Sequence, residues 1–239
     1  EEMIAEAEQA KRDDYDNYEH VWLGAPKEIA DGAIYKSEFE QIKRENRICK
    51  VPHDPNLPVY TSWDLGILDP TAIWFFQIFG KEVRVIDYYE ANNEPLAHYA
   101  RILDEKKQQF SYNYGKHFAP HDIAARDLSS GVSREQTMAN LGYRMDKGAR
   151  LGVEDRIEAT RQMLKNAWFD AEKCKHGIRA LQNYRREFND KLEQFKATPV
   201  HDWASHGSDA FGEGALNINK MCEPAPKPKV NAIPTAHRW

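Results

Sequence analysis

Cysteine is scarce. The 239 residues hold three, Cys49, Cys174 and Cys222, far apart and without a CxxC spacing. That argues against a disulfide framework and a cysteine-built zinc site, and favours reduced thiols in a cytosolic compartment. Long apolar runs are missing too. The longest apolar-rich stretch, Ala72 to Phe79, falls far short of the roughly 20 residues a helix needs to cross a bilayer. The opening Glu-Glu-Met-Ile lacks the pattern of a signal peptide, and the missing first methionine reads as processing or, preferably, as a piece of a longer polypeptide. A basic excess is lacking as well: 33 Lys and Arg face 38 Asp and Glu, for a net charge of −5. This disfavours a simple basic nucleic-acid binder. It does not disfavour a nuclease, because bound divalent cations neutralise an acidic cleft locally.

What is present suffices for one large core: 41% of the residues are hydrophobic and 11% aromatic. Residues 1–58 read as an arm and linker. They comprise an acidic helix over Glu1–Glu19, an aromatic cluster at Tyr18, Val21, Trp22 and Leu23, a short helix near Lys36–Arg47, and the proline-rich run Val51–Pro58. This part is expected to be dispensable for folding, leaving a core from about Val59 to Asn219. The compact domain, residues 59–220, opens with three strands. Val59–Trp63 and Ala72–Phe79 are joined through Asp69-Pro70, and a Gly80-Lys81 hairpin turn leads into Val83–Tyr89. A helix over Glu94–Gln109 follows, then a short strand at His117–Pro120, a helix capped by Ser133, a strand at Tyr143–Met145 and a helix over Val153–Ala167. Trp168-Phe169 reads as a connector, Lys175–Phe188 as a helix, and Ser208–Asn219 as the last helix. Residues 221–239 form a Pro/Lys-rich tail. The order β-β-β-α-β-α-β-α-α-α fits an α/β fold of the ribonuclease-H-like type, a mixed sheet with helices on its faces.

Three acids sit where such a fold concentrates chemistry. Asp64 ends the first strand in Ser62-Trp63-Asp64-Leu65-Gly66, Asp122 follows the fourth in Ala119-Pro120-His121-Asp122, and Asp209 opens the last helix. Each alone reads equally well as a turn former, a cap or a dipole partner. Placed on the fold, the first and fourth strands are neighbours and the last helix brings Asp209 across from them. Clustered carboxylates repel unless a hard cation holds them, and all-oxygen ligation suits Mg²⁺ or Mn²⁺. A pair of such ions would activate water and steady the leaving oxygen of a phosphodiester. Neutralising one of the acids is expected to leave cation-free stability unchanged or higher.

Several motifs together resemble the nuclease domain of tailed-phage terminase large subunits, the DNA-packaging motors. Tyr18-Glu19-His20-Val21-Trp22-Leu23-Gly24 resembles the exit from the motor's ATPase domain, and Ala30–Tyr35 the linker after it. Ser62–Gly66 with Asp69–Ala72 is similar to the family's first catalytic strand and hairpin, and Pro120–Asp122 to its second acidic position. His201-Asp202-Trp203-Ala204-Ser205-His206-Gly207-Ser208-Asp209-Ala210-Phe211 is similar to its last acidic motif and is the most specific piece. The resemblance implies a ribonuclease-H-like endonuclease that cuts concatemeric double-stranded DNA during genome packaging, with little sequence specificity. It implies Asp64, Asp122 and Asp209 as metal-binding acids. By the same resemblance the partners are DNA, the terminase ATPase domain, the small terminase subunit and the portal, and the place of action is the cytoplasm of the infected host, not a membrane. No GxxxxGK[ST] phosphate loop occurs in the chain, so it is expected to cut DNA without translocating it.

Other residues rank lower. His121, His201, Asp202 and His206 are candidate supports for the acids or plain loop residues, and Glu154 and Asp155 read as surface or cap groups. A Ser205, His206 and Asp202 triad is too compressed in sequence for triad geometry. Cys174, flanked by Lys173 and Lys175, reads as a buried helix cysteine. DNA contacts are sought among Lys147, Arg150, Arg156, Arg161, Lys165, Arg185 and Arg186, as phosphate contacts without base readout. The alternatives are another ribonuclease-H-like phosphotransferase, of resolvase or integrase type, and a docking module for the portal or motor with little catalysis.

Overall fold

The computed structural model describes residues 32–66, 69–126, 131–189 and 193–222, together with Met3 and Ala30. The expected acidic helix, the aromatic cluster around Trp22 and the tail from 223 onward lie outside them.

Helix α1 (Lys36–Arg44) leads into the two-residue strand β1 (Ile48–Cys49). Then come β2 (Val59–Asp64), β3 (Thr71–Phe79) and β4 (Glu82–Ala91), paired antiparallel in succession. Between β3 and β4 the chain reverses at Gly80, whose φ of 61° is open to glycine without strain. Helix α2 (Leu96–Phe110) and strand β5 (Tyr114–Ala119) follow, then a 3₁₀ turn (His121–Ala124), α3 (Arg134–Asn140) and β6 (Met145–Lys147). The Ser133 side chain accepts from Gln136 N at 3.1 Å, the expected cap of α3. After α4 (Val153–Leu164) come β7 (Ala167–Asp170), α5 (Lys175–Asn183), the hairpin β8 (Arg186–Asn189) and β9 (Gln194–Pro199), α6 (Trp203–Leu216) and α7 (Ile218–Cys222).

Seven strands form one mixed sheet in the order β1-β7-β4-β3-β2-β5-β6. β5 runs parallel to β2 and β6 parallel to β5, while β7 runs parallel to β4. Side chains alternate across a strand, so β2 and β3 feed two cores. Trp74 and Phe76 face α4, α5 and α6 in a core with Phe118, Phe169 and Phe211. Trp63, Ile73 and Phe75 face α2 and α3, with Tyr99, Leu103 and Met138. Helix α6 is tied directly to the sheet: Ser62 Oγ donates to Ala210 O at 2.6 Å and Trp74 Nε1 to Gly207 O at 2.7 Å. Both bonds are buried, and breaking either leaves a polar group dry at about 1–3 kcal/mol.

Three sequence expectations change. Ala167–Asp170 is a sheet strand rather than a connector, because it lies between β4 and β1 in the assembled fold. The helix expected to run to Phe188 stops at Asn183. Tyr184 turns extended, at ψ 111°, to start the segment that becomes β8, and the polar stretch before Pro199 is its partner β9. Much of the expected linker is also built into the domain. Phe39 and Ile42 are fully buried, and Arg47 donates to Leu164 O and Ala167 O at 2.8 and 2.6 Å. Limited proteolysis is therefore expected to leave a fragment that starts before Tyr35 rather than at Val59. Mass spectrometry of the resistant fragment checks this.

Candidate active site

Asp64 is the last residue of β2, and the chain turns sharply after it. A Cβ at Gly66 would stand 2.0 Å from Asp69 O, so the glycine serves the close return of this loop. Helix α6 begins earlier than the sequence suggests. Asp202 is its N-cap and accepts from Ala204 N at 2.9 Å, which places Asp209 in the second turn rather than the first. The dipole-partner explanation of Asp209 therefore falls away. His206, Asp209 and Glu213 follow one another at helical i, i+3 and i+4 steps and so share a side of α6.

Asp64 and Asp209 line one cavity of about 400 Å³, together with Leu65, Gly66, Asp69, His201 and His206. His206 Nδ1 stands 3.3 Å from Asp64 Oδ2, and this contact raises the imidazole's affinity for a proton against the effect of burial. Asp69 and Glu90 add to it. His201 Nε2 lies 3.8 Å from Asp69 Oδ2, and one donor atom each from Asp69, His201 and His206 lie within 4.8 Å of one another. Asp209 Oδ1 faces Arg156 Nη2 at 3.0 Å and Tyr184 OH at 3.4 Å. Burial pushes the Asp209 carboxyl up to about 6, Arg156 pulls it back, and Asp64 pushes it up again.

Asp122 lies in the exposed 3₁₀ turn beyond β5 and does not line this cavity. It stands at the same sheet edge as Asp64, since β5 and β2 are parallel with Phe118 opposite Ser62. Its charge bears on Glu213, a nearly buried carboxyl that the sequence reading did not single out. Burial pushes Glu213 up to about 7 against a hydrogen bond from Asn217, and Asp122 pushes the same way. Helical spacing from Asp209 was the available signal.

Cation-free protein is expected to lose stability through Glu213 as the pH rises. The folded state holds this proton more firmly than the unfolded chain does. The benefit is full below about 4.5 and lost as the pH passes about 7. The total is on the order of 3 kcal/mol. Thermal melts in EDTA between pH 4.5 and 7.5 should show the decline in the parent, and Glu213→Gln should remove that share of it.

The weaker candidates resolve cleanly. Ser205 Oγ donates to Asp202 O at 2.6 Å and His206 turns to Asp64, so no Ser205–His206–Asp202 triad forms. Asp155 accepts from Gly152 N, and Glu154 pairs with Arg186. Cys174 is buried and its thiol is pushed up by that burial. Of the basic residues, Arg161 donates to Ile34 O and Arg185 pairs with Asp202. Arg156 is the one bonded to a carboxylate of the cavity.

An antiparallel β2-β3-β4 meander extended by parallel β5 and β6, with acids at the end of β2 and on the helix that crosses it, is a ribonuclease-H-like fold. Among solved structures, that of large terminase from the thermophilic bacteriophage D6E has a TM-score of 0.62 at 18% identity, and the similarity covers 80% of this chain and 46% of that one. The P22 large terminase nuclease domain has a TM-score of 0.55 at 15% identity, over 74% of this chain and 90% of that one. The g2p large terminase nuclease domain of bacteriophage SPP1, with bound Mn, has a TM-score of 0.50 at 16% identity, over 69% and 87%. The chain thus has the fold of large-terminase nuclease domains and spans about half the length of the D6E protein. No protein-family model matches the chain, and no curated protein matches it in sequence.

Proposed function

We propose that the chain is a divalent-cation-dependent endonuclease that cuts double-stranded DNA with little sequence preference, as part of a phage genome-packaging motor. The observation that carries this reading is the meeting of Asp64, from a sheet edge, and Asp209, from a crossing helix, in one cavity. Two buried-edge carboxylates in that proximity suit a cation better than they suit each other. The Mn-bound SPP1 nuclease domain has the same fold and supports the choice of metal.

The donor set fits such an ion. Asp64, Asp209 and Asp69 offer oxygen and His201 and His206 offer nitrogen, a mixture that favours Mn²⁺ over Mg²⁺. Asp122, outside the cavity but at the same end of the sheet as Asp64, would be a further acid for a second ion. Paired ions held there would supply an activated water and charge relief for the leaving oxygen. The protein's own groups do the rest. The Asp64 contact fixes the orientation of the His206 ring, and Arg156 with Tyr184 fixes Asp209 Oδ1. The partners proposed from the resemblance are the motor's ATPase domain, the small terminase subunit and the portal, acting in the host cytoplasm. Among the described residues no helix is long and apolar enough to cross a membrane.

Supercoiled plasmid incubated with the protein and Mn²⁺ should pass to nicked, linear and then heterogeneous products, and EDTA should stop this. Plasmid unchanged with Mg²⁺, Mn²⁺ and Co²⁺ would overturn the reading. A single reproducible cut site would favour the resolvase-type alternative instead.

A further inference from the structure

Arg156 projects from the first half of α4 onto α6, and two independent features show that its place is built. Asp209 Oδ1 takes its Nη2 at 3.0 Å, with Tyr184 OH at 3.4 Å on the same oxygen. One turn further along α6, a Cβ on Gly212 would stand 2.3 Å from Arg156 Cγ and 2.7 Å from Cδ. The helix therefore leaves out a side chain where the arginine stem crosses. Its side chain remains a quarter exposed, beside the cavity that Asp209 lines. Arginine does not give up its proton at any working pH. One of the two central carboxylates of the cavity thus always faces a fixed positive charge supplied by the protein.

We infer that Arg156 is a positioning residue that sets the cation affinity of the proposed site and couples cation binding to DNA. This rests on the nuclease reading above. A divalent cation at Asp209 shares that carboxylate with the guanidinium, and the two like charges repel across a short distance. Without DNA, the cation is therefore held weakly. A DNA phosphate at the cavity attracts both the guanidinium and the cation, so each ligand strengthens the binding of the other by the same factor. Cutting then requires duplex in place, which suits an enzyme that must not load its cations idly.

The sign of the effect separates this role from that of a strut. Arg156→Gln and Arg156→Met keep the stem over Gly212 and remove the charge, whereas Arg156→Lys keeps a charge. Mn²⁺ binding by the whole chain without DNA, read as the shift of the melting temperature over a Mn²⁺ titration, should tighten at least about fivefold in the Gln and Met variants. The Lys variant should stay near the parent. Affinity for a short duplex in Ca²⁺, read by fluorescence anisotropy, should fall at least about fivefold in the Gln and Met variants. Mn²⁺ binding that is unchanged or weaker in both, or that tightens in the Lys variant as well, overturns the inference. So does failure of both uncharged variants to melt cooperatively in EDTA, which would make Arg156 a strut. A parent chain that neither responds to Mn²⁺ nor cuts DNA would sink the nuclease reading instead.

Discussion

Asp64→Asn and Asp209→Asn are each expected to lower Mn²⁺-dependent plasmid cleavage at least about 1,000-fold. Cation-assisted charge relief at a phosphodiester is worth several kcal/mol, and about 4 kcal/mol corresponds to that factor. Asparagine keeps the shape of the side chain and one oxygen but removes the charge that draws the cation in. The same loss is expected for Asp122→Asn, because an acid at this sheet edge completes the proposed ligand set. The structure keeps the expectation formed from clustered acids. Asp209 is paired with Arg156 at 3.0 Å, yet burial and Asp64 still push its carboxyl up to about 6, so the folded state favours the neutral form and Asp209→Asn should melt unchanged or higher in EDTA at neutral pH. Asp122 is exposed, and its replacement should leave the EDTA melt unchanged. Plasmid assays and EDTA melts on the same preparations check both halves. An Asp209→Asn protein that still cuts at the parental rate would remove that residue from the site.

The parts of the molecule legible in the sequence are those written in local pattern. β2, β3 and β4 carry their β-branched and aromatic residues within single runs, with Gly80 at the turn, and Ser133 announces α3 one residue before it starts. β7 and β1 are four and two residues long, and nothing local marks them as strands; β7 exists because β4 offers an edge, and β1 because β7 in turn does. The burial of Phe39 and Ile42 was hidden for a similar reason, since the helix that carries them packs on a core assembled from distant segments. Among the candidate acids, strand-end placement and motif order point to Asp64 and Asp209, and the fold brings both to one cavity. The pairings that define their chemistry, His206 with Asp64 and Arg156 with Asp209, join residues 142 and 53 apart and required the fold. For Glu213 the sequence offers only helical spacing from Asp209, and the burial that raises its carboxyl comes with the fold.

Asp87→Ala, at the far face of the sheet, should cost about 3–5 kcal/mol of stability. Asp87 is 3% exposed on β4, and its Oδ2 takes Lys106 Nζ at 2.5 Å and Tyr112 OH at 3.2 Å, while its Oδ1 accepts from Tyr88 N at 2.9 Å. Lys106 comes from α2, and its ammonium stands 5.0 Å over the Phe75 ring, so this pair fastens the helix to the sheet. Removing the carboxylate leaves an ammonium among rings with little water to receive it. For a domain of this size that corresponds to a melting temperature lower by roughly 10 °C. The double variant Asp87→Ala with Lys106→Met should recover part of the loss, because the stranded charge goes with its partner and the stem remains apolar. Asp87 lies on the α2 side of the sheet, away from the cavity between β2 and α6. Cleavage measured well below both melting temperatures should therefore keep the parental rate. Activity lost in proportion to stability would instead mean that the α2 face and the carboxylate site are mechanically one unit.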